Sequence, residues 1–112
     1  MPLRQQKMGG ALVLAVTDDR IDAVSSIRFK DEVAAAARGG PSQVVLDLSR
    51  VEFIDSSGLG AIVAVMKVLS PEQQLDLANL APIVDKVFRL TRMDSVFAIY
   101  PDVQTAIRAH VD

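Results

Sequence analysis

The chain has 112 residues, half of them hydrophobic, enough for one domain with a core of its own and too few for two. Its formal net charge is −2, with twelve scattered basic residues, four Phe, one Tyr and no Trp. That excludes the basic footprint and the stacking platform by which proteins hold DNA or RNA. The absence of cysteine excludes disulfides, thiolate metal sites and cysteine nucleophiles, and fits a reducing compartment.

In chain order, Leu3 to Lys7 followed by Ala11 to Val16 loosely mimics a signal peptide. The apolar run is short, however, Gly9-Gly10 interrupts it, and it runs into Thr17-Asp18-Asp19-Arg20 without a small-residue cleavage site. A hairpin turning on Gly9-Gly10 is the better reading. Asp22 and Ser25 supply capping chemistry for a helix through about Arg38, with Phe29, Val33 and Ala37 on one face, and Gly39-Gly40-Pro41 stops it. Val44 to Ser49 is mostly β-branched or leucine and reads as a buried strand, and Arg50 to Ile54 carries the chain to the next helix. In that helix Leu59, Ile62, Val63, Met66 and Leu69 recur at helical spacing.

Beyond the Ser70 to Gln74 turn, Leu75 to Leu80 reads as a strand, with Leu75, Leu77 and Asn79 alternating against Asp76 and Ala78. Pro82 suits the first turn of a helix whose apolar face holds Ile83, Val84, Val87, Phe88 and Leu90. Val96 to Tyr100 reads as a last strand, and Pro101-Asp102 opens a terminal helix with Val103, Ile107 and Val111 spaced four apart. Strands alternating with helices predict a single α/β domain over residues 1–112: a mixed sheet of about five strands with about four helices packed largely on one face. No segment reaches the roughly 20 apolar residues that span a bilayer, so a soluble, cytoplasmic protein is expected.

The informative motif is Asp55-Ser56-Ser57-Gly58-Leu59-Gly60, where strand gives way to helix. Asp55 is placed to cap the helix by accepting from the backbone N–H of Ser57 or Gly58, leaving Ser56 to point outward at the first helical position. A phosphoryl group on Ser56 would sit among unpaired backbone N–H groups, a favourable place for an anion. Gly58, lacking a Cβ, is expected to let a partner surface or a phosphate approach, and Gly60 to let the first turn pack tightly. Capping alone would also account for these residues.

The stretch from Val44 to Lys67, VVLDLSRVEFIDSSGLGAIVAVMK, closely resembles the central signature of STAS domains, in particular bacterial anti-sigma factor antagonists. Arg20 to Ser26 is similar to the family's lead into its first helix, and Asn79 to Ile107 to its C-terminal helix, strand and helix. The resemblance implies a binding protein, not an enzyme. Its serine after the aspartate, here Ser56, would be phosphorylated by a partner that is both anti-sigma factor and serine kinase. Asp22, Asp55, Ser57, Gly58 and Leu59 would support or contact that partner, and in the family's arrangement Asp22 would border Ser56. No cofactor is implied for the chain itself, because ATP and Mg²⁺ would come with the kinase; a resetting phosphatase and self-association stay open. Asp19-Arg20 stand where the family usually has Gly-Glu, a charge change beside the expected interface. The other readings are a scaffold or accessory STAS domain in a signalling or transporter complex, and a serine-nucleophile enzyme. The enzyme fares badly: the one histidine, His110, stands two residues from the end of the chain, and there is no G-x-S-x-G elbow and no phosphate-binding loop.

Overall fold

In the computed structural model, residues 3–111 are described. The elements are β1 (Leu3–Met8), β2 (Ala11–Val16), β3 (Arg20–Ile21), α1 (Ser26–Ala37), β4 (Gln43–Asp47), β5 (Phe53–Ile54), α2 (Ser56–Leu69), β6 (Gln74–Ala78), α3 (Pro82–Leu90), a 3₁₀ turn at Met93–Ser95, β7 (Ile99–Tyr100) and α4 (Val103–Val111). Five strands form one sheet in the order β1-β2-β4-β6-β7, and β3 pairs with β5 in a separate two-stranded ribbon. β1 and β2 are antiparallel, joined through Gly9 and Gly10 at φ 54° and 83°, which the tight hairpin turn requires. β2, β4, β6 and β7 run parallel.

Strand alternation sorts the core into two layers. Leu12, Leu14, Val16, Val44, Leu46, Leu75 and Leu77 point to one side, where Phe29 and Val33 of α1, Ile62 and Val65 of α2, and Val84 and Phe88 of α3 complete the main core. Ala11, Val13, Val45 and Ala78 point to the other side, which α4 covers through Ala106, Val103 and Ile107. Three helices on one face and the last on the other give the mixed, mostly one-sided α/β domain that the alternation of elements predicts.

Asp76, on the α4 side, is only 1 % exposed. Its two carboxylate oxygens accept from Gln43 Nε2 at 2.7 Å and Gln74 Nε2 at 2.7 Å, and Gln43 Nε2 also donates to the Ala106 carbonyl of α4 at 2.9 Å. A buried polar group tolerates that position only because it is bonded, and the same bonds fasten α4 to the sheet.

Three expectations are corrected. The Val96 to Tyr100 strand shrinks to Ile99–Tyr100, because residues 93–95 form a 3₁₀ turn that drops Phe97 into the core, edge-on to Phe88 with ring centroids 6.2 Å apart. In α3, Val84 and Phe88 are buried, whereas Ile83 and Leu90 are 59 % and 74 % exposed, so the apolar face is narrower than the sequence suggests. In β6 the residues alternating against the leucines, Asp76 and Ala78, are also buried, because α4 lies over them. The side chain of Val111 lies outside the described residues.

Candidate partner-binding site

The site forms where β3 and β5 meet the start of α2. Parallel pairing sets Arg20 beside Phe53 and Ile21 beside Ile54, and the backbone N–H groups of Glu52 and Phe53 donate to the Asp19 carbonyl at 2.8 and 3.2 Å. Asp55 follows in extended conformation (φ −109°, ψ −173°), and its Oδ1 accepts from the Gly58 N–H at 2.9 Å, which caps α2 as its sequence requires. Asp55 Oδ2 accepts from the Ala23 N–H at 3.2 Å. One carboxylate therefore starts α2 and ties it to the chain leading into α1. Ser56 and Ser57 occupy the first two helical positions, both exposed.

Asp22 organises the neighbouring turn. Its Oδ1 accepts from the N–H groups of Val24 (3.1 Å) and Ser25 (3.2 Å) and from Ser25 Oγ (3.2 Å), and Ser25 Oγ accepts in return from the Asp22 N–H at 3.2 Å. The other oxygen, Oδ2, takes Arg20 Nε at 3.0 Å. That guanidinium bond, with help from Ser25 and Val24 and against the opposing effect of burial, holds the Asp22 carboxyl below its ordinary pKa of 3.8. The Arg20 guanidinium also lies over the Phe53 ring, 4.4 Å from its centroid.

Asp22, Asp55 and Ser56 are thus gathered on one rim, as expected. The two glycines exchange roles. Gly58 is buried, and a Cβ there would collide with the Ile21 carbonyl oxygen and lie 2.8 Å from Ile54 Cγ1, so the close approach is made by the domain's own β3 and β5. A Cβ on Gly60 would meet nothing within 4 Å; that is the open glycine. Leu59 is half-buried and packs against the core. Sequence reasoning missed the apolar side chains that flank the serines: Val24 is 94 % exposed, Ile27 72 % and Phe53 42 %. Val24 and Ile27 fall off the Phe29-Val33-Ala37 face, and that mismatch was the available signal. His110 Nε2 lies 3.5 Å from Ser42 Oγ, before the start of β4, whereas α2 begins beyond that strand's end. Among the described residues no group of three His, Asp or Glu side chains could hold a metal ion, and no helix is long and apolar enough to cross a membrane.

Residues 3–106 match the family model for the STAS domain, and the chain belongs to that family. BtrV of Bordetella bronchiseptica, a candidate anti-sigma factor antagonist, is 32 % identical over 110 residues, covering 97 % of this chain and 94 % of BtrV. The crystal structure of an anti-sigma factor antagonist from Mycobacterium paratuberculosis superposes with a TM-score of 0.87 at 28 % identity, over 98 % of this chain and 93 % of that one. The anti-sigma factor antagonist SpoIIAA shares the fold: its unphosphorylated form superposes with a TM-score of 0.75 at 21 % identity, over 98 % and 99 % of the two chains. The phosphorylated form of the Bacillus protein gives 0.66 at 19 %, over 96 % and 97 %.

Proposed function

We propose that this chain is an anti-sigma factor antagonist that works by partner switching at Ser56. Unphosphorylated, it captures an anti-sigma factor that is also a serine kinase, and so frees a sigma factor or another regulated target. Phosphorylated, it loses that grip. It acts as a binding module in the cytoplasm and carries no cofactor. The kinase brings ATP and Mg²⁺; the γ-phosphoryl passes to Ser56 Oγ, the hydroxyl proton goes to a base on the kinase, and ADP leaves.

The observation that carries this reading is the exposure of Ser56 on a rigid helix start, with Val24, Ile27 and Phe53 exposed on the segments tied to it. Asp55 has a backbone N–H on each carboxylate oxygen, which suits it to hold the serine in place and not to take its proton. SpoIIAA and the Mycobacterium paratuberculosis protein are anti-sigma factor antagonists and BtrV is a candidate one, and SpoIIAA is a protein of this fold that exists in both phosphorylation states.

A phosphate adds about −1.5 to −2 charges at neutral pH, and the helix start offsets only about 0.3–1 kcal/mol of that when exposed. The fold tolerates it, but an apolar interface closing over it does not. Loss of about 2.7 kcal/mol of binding free energy is a hundredfold in affinity. The test is site mapping of the protein from its native cell, with partner capture and affinity measured for wild type, Ser56→Ala and Ser56→Asp. Phosphate on Ser56, with Ala retaining and Asp losing a kinase-type partner about a hundredfold, is the expected result. An unmodified Ser56, with both variants binding all that the wild type binds, would leave a scaffold STAS domain.

A further inference from the structure

We propose that Arg20 is the phosphate-reading residue of this site: once Ser56 carries a phosphate, the Arg20 guanidinium bonds it and draws it into an ion pair within the domain. The inference rests on Ser56 being the modified residue and deepens that reading.

Three observations place the guanidinium. It bonds Asp22 Oδ2 through Nε at 3.0 Å, it lies over the Phe53 ring at 4.4 Å, and its side chain is still 55 % exposed. Arg20 pairs with Phe53 and Ile21 with Ile54, so the ribbon brings the turn that begins at Asp22 next to the start of α2. The bond from the Ala23 N–H to Asp55 Oδ2 ties the two segments together past the paired residues. The guanidinium, bonded to Asp22 and lying over Phe53, therefore sits on the pair of segments that leads into Ser56.

An arginine has five N–H donors, and the bond to Asp22 through Nε occupies one of them, which leaves the two Nη groups for a second oxyanion. The local charges make this cation matter. Asp18, Asp19, Asp22, Glu52 and Asp55 all lie on the segments that build the rim. Arg28 is 3.8 Å from Asp18. A phosphate dianion added among those carboxylates is drawn to Arg20, and Asp22 and Phe53 already fix the guanidinium in orientation, so little side-chain freedom is lost in forming the contact. The unmodified protein presents Arg20 and Phe53 to a partner as a stacked pair. In the modified protein the same arginine, still held by Asp22 and Phe53, gives its free Nη donors to the domain's own phosphate.

Phosphoserine installed at position 56 during translation tests the contact without any kinase, so failure of the contact and failure of the partner-switching reading are separate results. The phosphate is titrated by ³¹P NMR in wild type, R20Q, R20K and R38Q, with folding checked by amide spectra. Arg38 lies at the far end of α1 and changes the net charge equally. The phosphate of the wild type is expected to lose its second proton about half a pH unit or more below that of R20Q, with R20K between them and R38Q like wild type. Equal titration in wild type and R20Q overturns the proposal, as does an equal effect of R38Q, which would reduce it to net charge.

Discussion

Gly58 and Gly60 stand two residues apart in one helix, yet substitution at the two should move stability in opposite directions. Gly58→Ala drives a methyl into the Ile21 carbonyl, which belongs to the backbone of a short paired strand and cannot swing aside. The expected cost is about 3 kcal/mol or more, read by urea unfolding. Gly60→Ala places its methyl in open space within a helix, and the same measurement should show a gain of about 0.5–1 kcal/mol. Asp22 gives a second test. Its carboxyl is held below 3.8, so between that lower value and 3.8 the unfolded chain binds more protons than the folded one. The stabilisation this group contributes is present above pH 3.8 and is lost as pH falls through the folded-state value. In Arg20→Gln, the Asp22 side-chain signal should titrate closer to 3.8. What was legible at this scale was local: an aspartate before two serines and an apolar helix announces a cap. Which glycine was buried was not legible, because the atom that fills the space belongs to a strand more than thirty residues upstream.

Among the elements, α3 carried the least reliable pattern. Five apolar residues in nine suggest a broad buried face, yet only Val84 and Phe88 are fully covered. Phe88→Ala should therefore cost about 3–5 kcal/mol, whereas Leu90→Ser should stay within about 0.5 kcal/mol of wild type in the same unfolding assay. Helical period alone ranks those residues as neighbours; only the position of the 3₁₀ turn and Phe97 decides which of them meets the core. By contrast α1 was readable, since Phe29, Val33 and Ala37 recur four apart and all are buried. The β3–β5 ribbon escaped the sequence altogether. Two residues are too few to show a period, and their pairing exists only because the longer strands bring them together.

At the scale of the whole molecule, a buried polar contact fastens the last element to the sheet. Gln43 of β4 joins Asp76 of β6 to the Ala106 carbonyl of α4. Gln43→Leu leaves a buried carboxylate oxygen and a helix carbonyl without that donor, and an unpaired buried polar group costs about 1–3 kcal/mol, more when charged. Hydrogen exchange should then rise first across α4, while the amides of β2 and β4 stay protected. The five strands of the main sheet and the four helices followed from periodicity and turn residues, whereas the placing of Asp22 near Ser56 was an expectation from the family resemblance. The second core layer did not, because a buried aspartate in a strand reads from sequence as a solvent-facing one.

The main sheet is laid out in the order β1-β2-β4-β6-β7, the order in which the ribosome makes those strands. From β2 onward, each strand of that sheet therefore emerges to find one neighbour already made. The residues that build the rim around Ser56, Asp19 to Ser57, all precede β6. A circular permutant that begins at β6, with its old ends joined, would keep every contact in the finished molecule. It would lose this order, since β6 would emerge before β4, the strand it pairs with on its other side.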